Sequence, residues 1–203
     1  MLKVGITGGI GSGKTTVCKI FEVLGIPVYY ADDRAKELMQ TDVKLITSIK
    51  DIFGEEAYQD EKLNRAFIAS KVFDDKPLLA KLNSVVHPAV AEDVMQWMLQ
   101  HLDKPYVLKE AALLFESGSY KFFDKIITVI APMEDRIARL ITRDNATSEQ
   151  ITARMKNQMS DEEKVELSDY VIYNDAQHKL IPQAFTIHHL LVELDKNRKR
   201  ESL

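Results

Sequence analysis

A chain of 203 residues, 45% hydrophobic and 29% charged, is long enough for one or two units with a real buried core. Its 27 basic residues against 31 acidic ones leave a net charge of −4, so no broad cationic surface is forced and no nucleic-acid partner is expected. No apolar run approaches a membrane span, and a strand pattern starts at once, so no leader is expected. The single cysteine, Cys18, has no partner for an intramolecular disulfide and reads as a core residue. These features set the expectation of a cytoplasmic protein without membrane association. A monomer or weak homo-oligomer is expected, a matter these features do not decide.

Leu2 to Thr7 reads as a short buried strand. It runs into Gly8-Gly9-Ile10-Gly11-Ser12-Gly13-Lys14-Thr15, which fits G-x-x-x-x-G-K-[ST]. Val17, Ile20, Phe21 and Leu24 then recur at helical spacing until Gly25. Strand, glycine loop and helix N-terminus in this order make a phosphate cradle, because glycines let successive backbone N–H groups turn inward on an anion. Gly8, Gly9, Gly11, Ser12, Gly13, Lys14, Thr15 and Thr16 are therefore candidate ATP-binding residues. Lys14 would reach the β- and γ-phosphates, and the Thr15 hydroxyl would hold Mg²⁺. The dinucleotide fingerprint G-x-G-x-x-G fails here, since Lys14 stands where its third glycine belongs.

Ile26 to Ala31 looks like a second buried strand, ending at Asp32-Asp33, where Ala35, Leu38 and Met39 begin a helical pattern. Acids at the carboxyl end of a strand in an open α/β sheet face the ligand crevice. Asp32 is the functional candidate, and one of the pair is expected to cap the helix. From Thr41 to about His101 strand signals vanish. Helical segments follow over Val43 to Phe53, Asn64 to Phe73, Pro77 to Val86 and Pro88 to Leu102, with Pro88 at a helix's first position and His87 at the joint before it. So large an insert reads as a helical subdomain that receives a second substrate. Trp97, Met95 and Met98 read as core. Asp51-Ile52-Phe53-Gly54 matches the D-x-x-G of a GTPase switch, but it lies in a helical pattern and no guanine-reading N-K-x-D occurs.

Tyr106-Val107-Leu108 resumes strand character and leads to Glu110, an acid where a P-loop enzyme needs a magnesium ligand. Glu116 reads as structural, capping the turn that follows. After the strand Lys125 to Ala131, Pro132 opens a helix carrying Arg136, Arg139 and Arg143. Thr147 to Gln150 and Ser160 to Glu163 form capping boxes, the first for a helix with Arg154. Arg139, Arg143 and Arg154 lie on an excursion with few apolar anchors, which suits a lid closing over a transferring phosphate. Asp169 to Asn174 is the last strand, and an amphipathic helix from Lys179 to about Asn197 follows. His188-His189 read as ordinary residues of that helix, and Lys196 to Arg200 as a frayed, solvated end.

Taken together these segments resemble the dephospho-CoA kinases over nearly the whole chain. Thr7 to Thr16 is similar to that family's opening, and Ala31-Asp32 to its Asp-Ala-Asp stretch. Leu82-Asn83 with His87-Pro88 and the block Leu113 to Glu116 follow. The later matches are Arg139 with Arg143-Asp144, Arg154 with Gln158 and Ser160, and Asp169 with Ile172 and Asn174. Three positions depart from the pattern: Tyr30 replaces the first acid, Ala112 a proline and Ser168 an alanine. The resemblance implies transfer of the ATP γ-phosphate to the 3′-hydroxyl of dephospho-CoA, the last step of coenzyme A synthesis. It implies an α/β P-loop NTPase fold with a five-stranded parallel sheet flanked by helices, spanning 1–32, 103–135 and 165–203. A helical CoA-substrate domain would cover 33–102 and a helical lid 136–164. Asp32 would then take the hydroxyl proton or orient a metal-bound water, with Glu110 assisting at the metal. Arg143 and Arg139 would stabilise the moving phosphoryl, His87 and Arg154 would join the substrate site, and Asn174 would border the adenine. Another P-loop kinase, acting on a nucleoside or nucleotide, is the alternative.

Overall fold

The chain runs β1 (Leu2–Thr7), α1 (Lys14–Val23), β2 (Val28–Tyr30), α2 (Ala31–Thr41), α3 (Val43–Phe53), β3 (Tyr58–Gln59), β4 (Lys62–Leu63), α4 (Arg65–Val72) and α5 (Lys76–Leu99). It continues with β5 (Tyr106–Glu110), β6 (Lys125–Ile130), α6 (Met133–Asp144), α7 (Ser148–Lys156), α8 (Asp161–Glu166), β7 (Tyr170–Tyr173) and α9 (Leu180–Glu201). This computed structural model describes residues 1–144 and 147–201. The chain divides into two units, one formed by Met1–Tyr30 with His101–Leu203 and the other by Ala31–Gln100.

In the first unit five strands form one parallel sheet in the order β2-β5-β1-β6-β7. Such a sheet is covered on both faces, which is why its strands are short, nearly continuous apolar runs. On one face Val4, Ile6, Leu108, Ile127 and Ile172 pack with Val17 and Phe21 of α1 and with Ala184, Ile187 and Leu191 of α9. Leu114, Phe115 and Ile126 form a second cluster with Phe123 and Met159. The chain leaves β1 toward β2 and β5 on one side and later adds β6 and β7 on the other. Ligands of open α/β sheets bind at such a reversal, beyond the strands' carboxyl ends. Here Ile6 of β1 lies in register with Glu110, the last residue of β5.

The second unit holds α2 to α5 around Leu38, Leu45, Ile49, Ile68, Leu82 and Val90. It differs from the sequence reading in several ways. The supposedly all-helical insert contains a hairpin, β3 against β4, whose turn residues Asp60 (φ 48°) and Glu61 (φ 62°) are left-handed. Two-residue hairpin turns favour Asn-Gly, and two acids give no such signal. The helix α5 runs unbroken through Pro88, so Pro88 does not start a helix and His87 is an exposed mid-helix residue. An interior proline costs about 3 kcal/mol. Leu82, Val86, Val90, Val94 and Met98 are buried at four-residue spacing along α5, and each buried side chain contributes about 1.5–3 kcal/mol, so the apolar stripe wins. Met95 lies off that stripe and is exposed rather than core.

Neither Asp32 nor Asp33 caps α2, because the helix begins at Ala31 directly after β2 and both acids fall in its first turn. Carboxylates there complement the helix dipole. Nor does the C-terminal basic run fray within the described residues. It continues α9, with Lys199 Nζ 2.7 Å from Asp195 and Arg198 3.3 Å from Asp124. Among the described residues no helix is long and apolar enough to cross a membrane.

Candidate active site

Gly13, at φ 94°, precedes Lys14 and starts α1, its carbonyl accepting from Thr16 N and Val17 N. The left-handed backbone is one reason for glycine here. The other is Asn174, whose side-chain nitrogen stands where a Cβ would go. Asn174 Nδ2 donates to Ser12 O at 2.7 Å, tying the turn after β7 to the loop after β1.

Lys14 folds back into the loop. Its ammonium donates to Gly8 O at 2.9 Å and Gly9 O at 3.4 Å, and it lies 3.9 Å from Glu110 Oε1. Both side chains are only 10% exposed. A buried ammonium is tolerated only when paired and hydrogen-bonded, and both conditions are met. The hydroxyls of Thr7 and Ser12 are fully buried without a hydrogen-bond partner. An unmade bond of this kind costs about 1–3 kcal/mol, and such groups concentrate at functional sites.

The outer edge of the loop is held by α6 and by the link between α7 and α8. Arg136 Nε donates to Ile10 O at 2.9 Å, and an Arg139 nitrogen donates to Gly11 O at 3.2 Å. Gln158 Oε1 accepts from Ile10 N at 2.8 Å. Glu116 does not cap its own turn. Its Oε1 accepts from Met159 N at 2.8 Å and pairs with fully buried Lys164 at 3.0 Å, which anchors the base of α8.

Of the residues singled out in the sequence, Gly8, Gly9, Gly11, Ser12, Gly13, Lys14, Glu110, Arg139 and Asn174 come together here. Thr15 and Thr16 are exposed in the first turn of α1, and Arg143 and Arg154 are exposed on α6 and α7. Asp32, in the first turn of α2, and His87, on α5, belong to the other unit and are exposed. Arg136 carries no motif signal of its own, although it lies three residues before Arg139 and hence on the same helix face. Cys18 is a core residue, its thiol pushed up by burial and then by the Glu110 carboxylate.

A parallel sheet with a glycine loop and an inward-folded lysine at the end of its central strand defines a P-loop nucleotide-binding protein. The family model for dephospho-CoA kinase matches residues 2–179. A dephospho-CoA kinase of Bacteroides fragilis is 42% identical over 182 residues, 90% of this chain and 89% of that protein. The crystal structure of a Thermus thermophilus protein superposes with a TM-score of 0.82 at 34% identity, over 95% of this chain and 97% of the other. A dephospho-CoA kinase from Campylobacter jejuni superposes with a TM-score of 0.69 at 26% identity, over 97% and 98% of the two chains. The chain belongs to the dephospho-CoA kinase family, and ATP is the substrate that a kinase of this family implies.

Proposed function

We propose that this chain transfers the γ-phosphoryl group of ATP to the 3′-hydroxyl of dephospho-CoA, giving coenzyme A. The observation that carries the reading is Lys14, its ammonium drawn into the glycine loop within reach of Glu110. Loop amides and Lys14 would hold the triphosphate tail, and Arg139 and Arg143 on α6 would neutralise charge on the moving phosphoryl. Residues 33–102 would receive the CoA moiety, with His87 and, from the lid 136–164, Arg154 contributing. Asn174, already braced on the loop, would border the adenine. Asp32 would accept the proton of the acceptor hydroxyl.

The donors also suit Mg²⁺, which when bound neutralises phosphate charge and orients the β- and γ-oxygens. Among the described residues no three His, Cys, Asp or Glu side chains gather into a metal cage. Magnesium needs none, taking one or two carboxylates or hydroxyls and filling the rest with phosphate oxygens and water. Thr15 and Glu110 would supply that oxygen set, with Asp32 as a further candidate. Buried Cys18 fits a reducing, cytoplasmic setting.

A coupled assay of ADP release tests the reading. ADP should form when dephospho-CoA is added and not when adenosine replaces it; release independent of any acceptor would refute it. General-base help is worth about 10²–10⁴-fold, so Asp32→Asn should lower kcat by that order and leave nucleotide affinity unchanged. Normal turnover in that variant would remove Asp32 from the mechanism.

A further inference from the structure

The phosphate loop of the first unit is gripped from outside by a residue for which the glycine motif makes no provision. Arg136 on α6 is 5% exposed. Its Nε donates to Ile10 O at 2.9 Å, and another guanidinium nitrogen donates to Asp161 Oδ2 at 3.0 Å, at the start of α8. The same guanidinium lies so close to Gly9 that a Cβ there would overlap it. The loop motif leaves that second position free. Gly9 has no left-handed backbone, so what a Cβ there would meet is the guanidinium, which would have to leave its bonds to Ile10 O and Asp161.

Ile10 is held on three sides. Its carbonyl is taken by Arg136, its N–H by Gln158, and its side chain packs on the small cluster of Leu140 and Ile151 with Ile137 and Met155. In a planar trans peptide the carbonyl and the N–H of the next residue point opposite ways, so a carbonyl fixed on an outer cation turns the N–H of that same peptide, here Gly11 N–H, away from the cation. A carbonyl that accepts a charged donor also polarises its peptide, which strengthens that N–H as a donor. Asp161 neutralises the guanidinium and fixes its plane, so the contribution is chiefly geometric.

We propose that Arg136, locked by Asp161, is a positioning residue for ATP: it sets the Ile10–Gly11 peptide so that the loop amides meet the phosphates. This rests on the kinase reading above. Arginine suits the role because its planar fork reaches two acceptors in different directions, which a lysine ammonium on a flexible stem does not reproduce.

The test uses the full-length enzyme, with steady-state kinetics, direct titration of ATP and thermal melting. A charge-assisted bond to a buried acceptor is worth enough that Arg136→Gln should raise KM for ATP and its Kd about ten-fold or more. KM for dephospho-CoA should stay within about two-fold. Asp161→Asn, at a partly exposed position that keeps an acceptor oxygen, should move the ATP constants in the same direction by less. Should Arg136→Gln fail to fold, Asp161→Asn decides the matter alone. Gly9→Ala should weaken ATP binding in the parent enzyme and cost less beside Arg136→Ser, where the obstacle is gone. ATP constants unchanged in soluble Arg136→Gln, or in Asp161→Asn where the former does not fold, would overturn the proposal while the parent still binds ATP. A parent enzyme with no affinity for ATP would overturn the kinase reading with it.

Discussion

Gly13 shows how much a single Cβ matters in the nucleotide loop. An alanine there must hold a left-handed backbone, at about 1–2 kcal/mol, and displace the Asn174 amide from Ser12 O, at about 1 kcal/mol more. Gly13→Ala is therefore expected to raise KM for ATP about ten-fold or more and to lower the melting temperature. Asn174→Ala, which loses only the second contribution, should show the smaller change in both measurements. Equal effects would mean that the backbone conformation carries no cost. The glycines and Lys14 were legible in the sequence because their requirement is local: a tight loop between a strand and a helix needs them wherever it occurs. The braces were not. Asn174 lies 162 residues from Ser12, and Gln158 lies 148 from Ile10, so no spacing rule connects them.

Elements with one dominant signal were legible to within a residue or two. β1 and β6 are short, mostly buried stretches rich in Val and Ile, and α3 starts from the Asp42 cap and stops at Gly54. Signals in conflict misled. Pro88 argues for a break, whereas the buried stripe from Leu82 to Met98 argues for continuity, and only the packed structure weighs the two. That balance can be measured. Pro88 is exposed and has no N–H for the carbonyl of Ser84, so Pro88→Ala restores one hydrogen bond and relieves a clash without touching the core. The gain of up to about 3 kcal/mol is offset by about 0.4–1 kcal/mol of extra freedom in the unfolded chain. Denaturant unfolding of Pro88→Ala should thus show a net stabilisation of up to about 2 kcal/mol. A loss of stability would mean that the restriction Pro88 places on the unfolded chain outweighs the strain it puts on α5.

Across the first unit, α9 is the element that returns over the sheet, and titratable groups fasten it. Its Ala184, Ile187 and Leu191 enter the main core, a burial readable from amphipathic spacing. Its polar anchors were invisible to that spacing. His188 Nδ1 meets the Tyr106 hydroxyl at 2.8 Å, and buried Asp195 pairs with the Met1 ammonium at 3.1 Å and with Lys199. Burial pushes the Tyr106 hydroxyl up, so it stays protonated and shares a hydrogen bond with the imidazole, whose tautomer sets the direction. Burial, and then the neighbouring His189, hold His188 below its ordinary value near 6.5. For Asp195, burial acts upward but is outweighed by the bonds from Lys199 and Met1, and the carboxyl ends below its ordinary 3.8. Both folded values are depressed, so both groups contribute stability above their unfolded values and lose it as pH falls. The losses occupy separate windows: His188 from about 6.5 downward, Asp195 from about 4 downward. Melting temperature followed from pH 8 to 3 should fall in two stages. His188→Asn, which can keep an acceptor for Tyr106, should flatten the first stage, and Asp195→Asn the second, each leaving the other in place. A parent-like acid profile in both variants would mean that other groups govern the acid response of this unit.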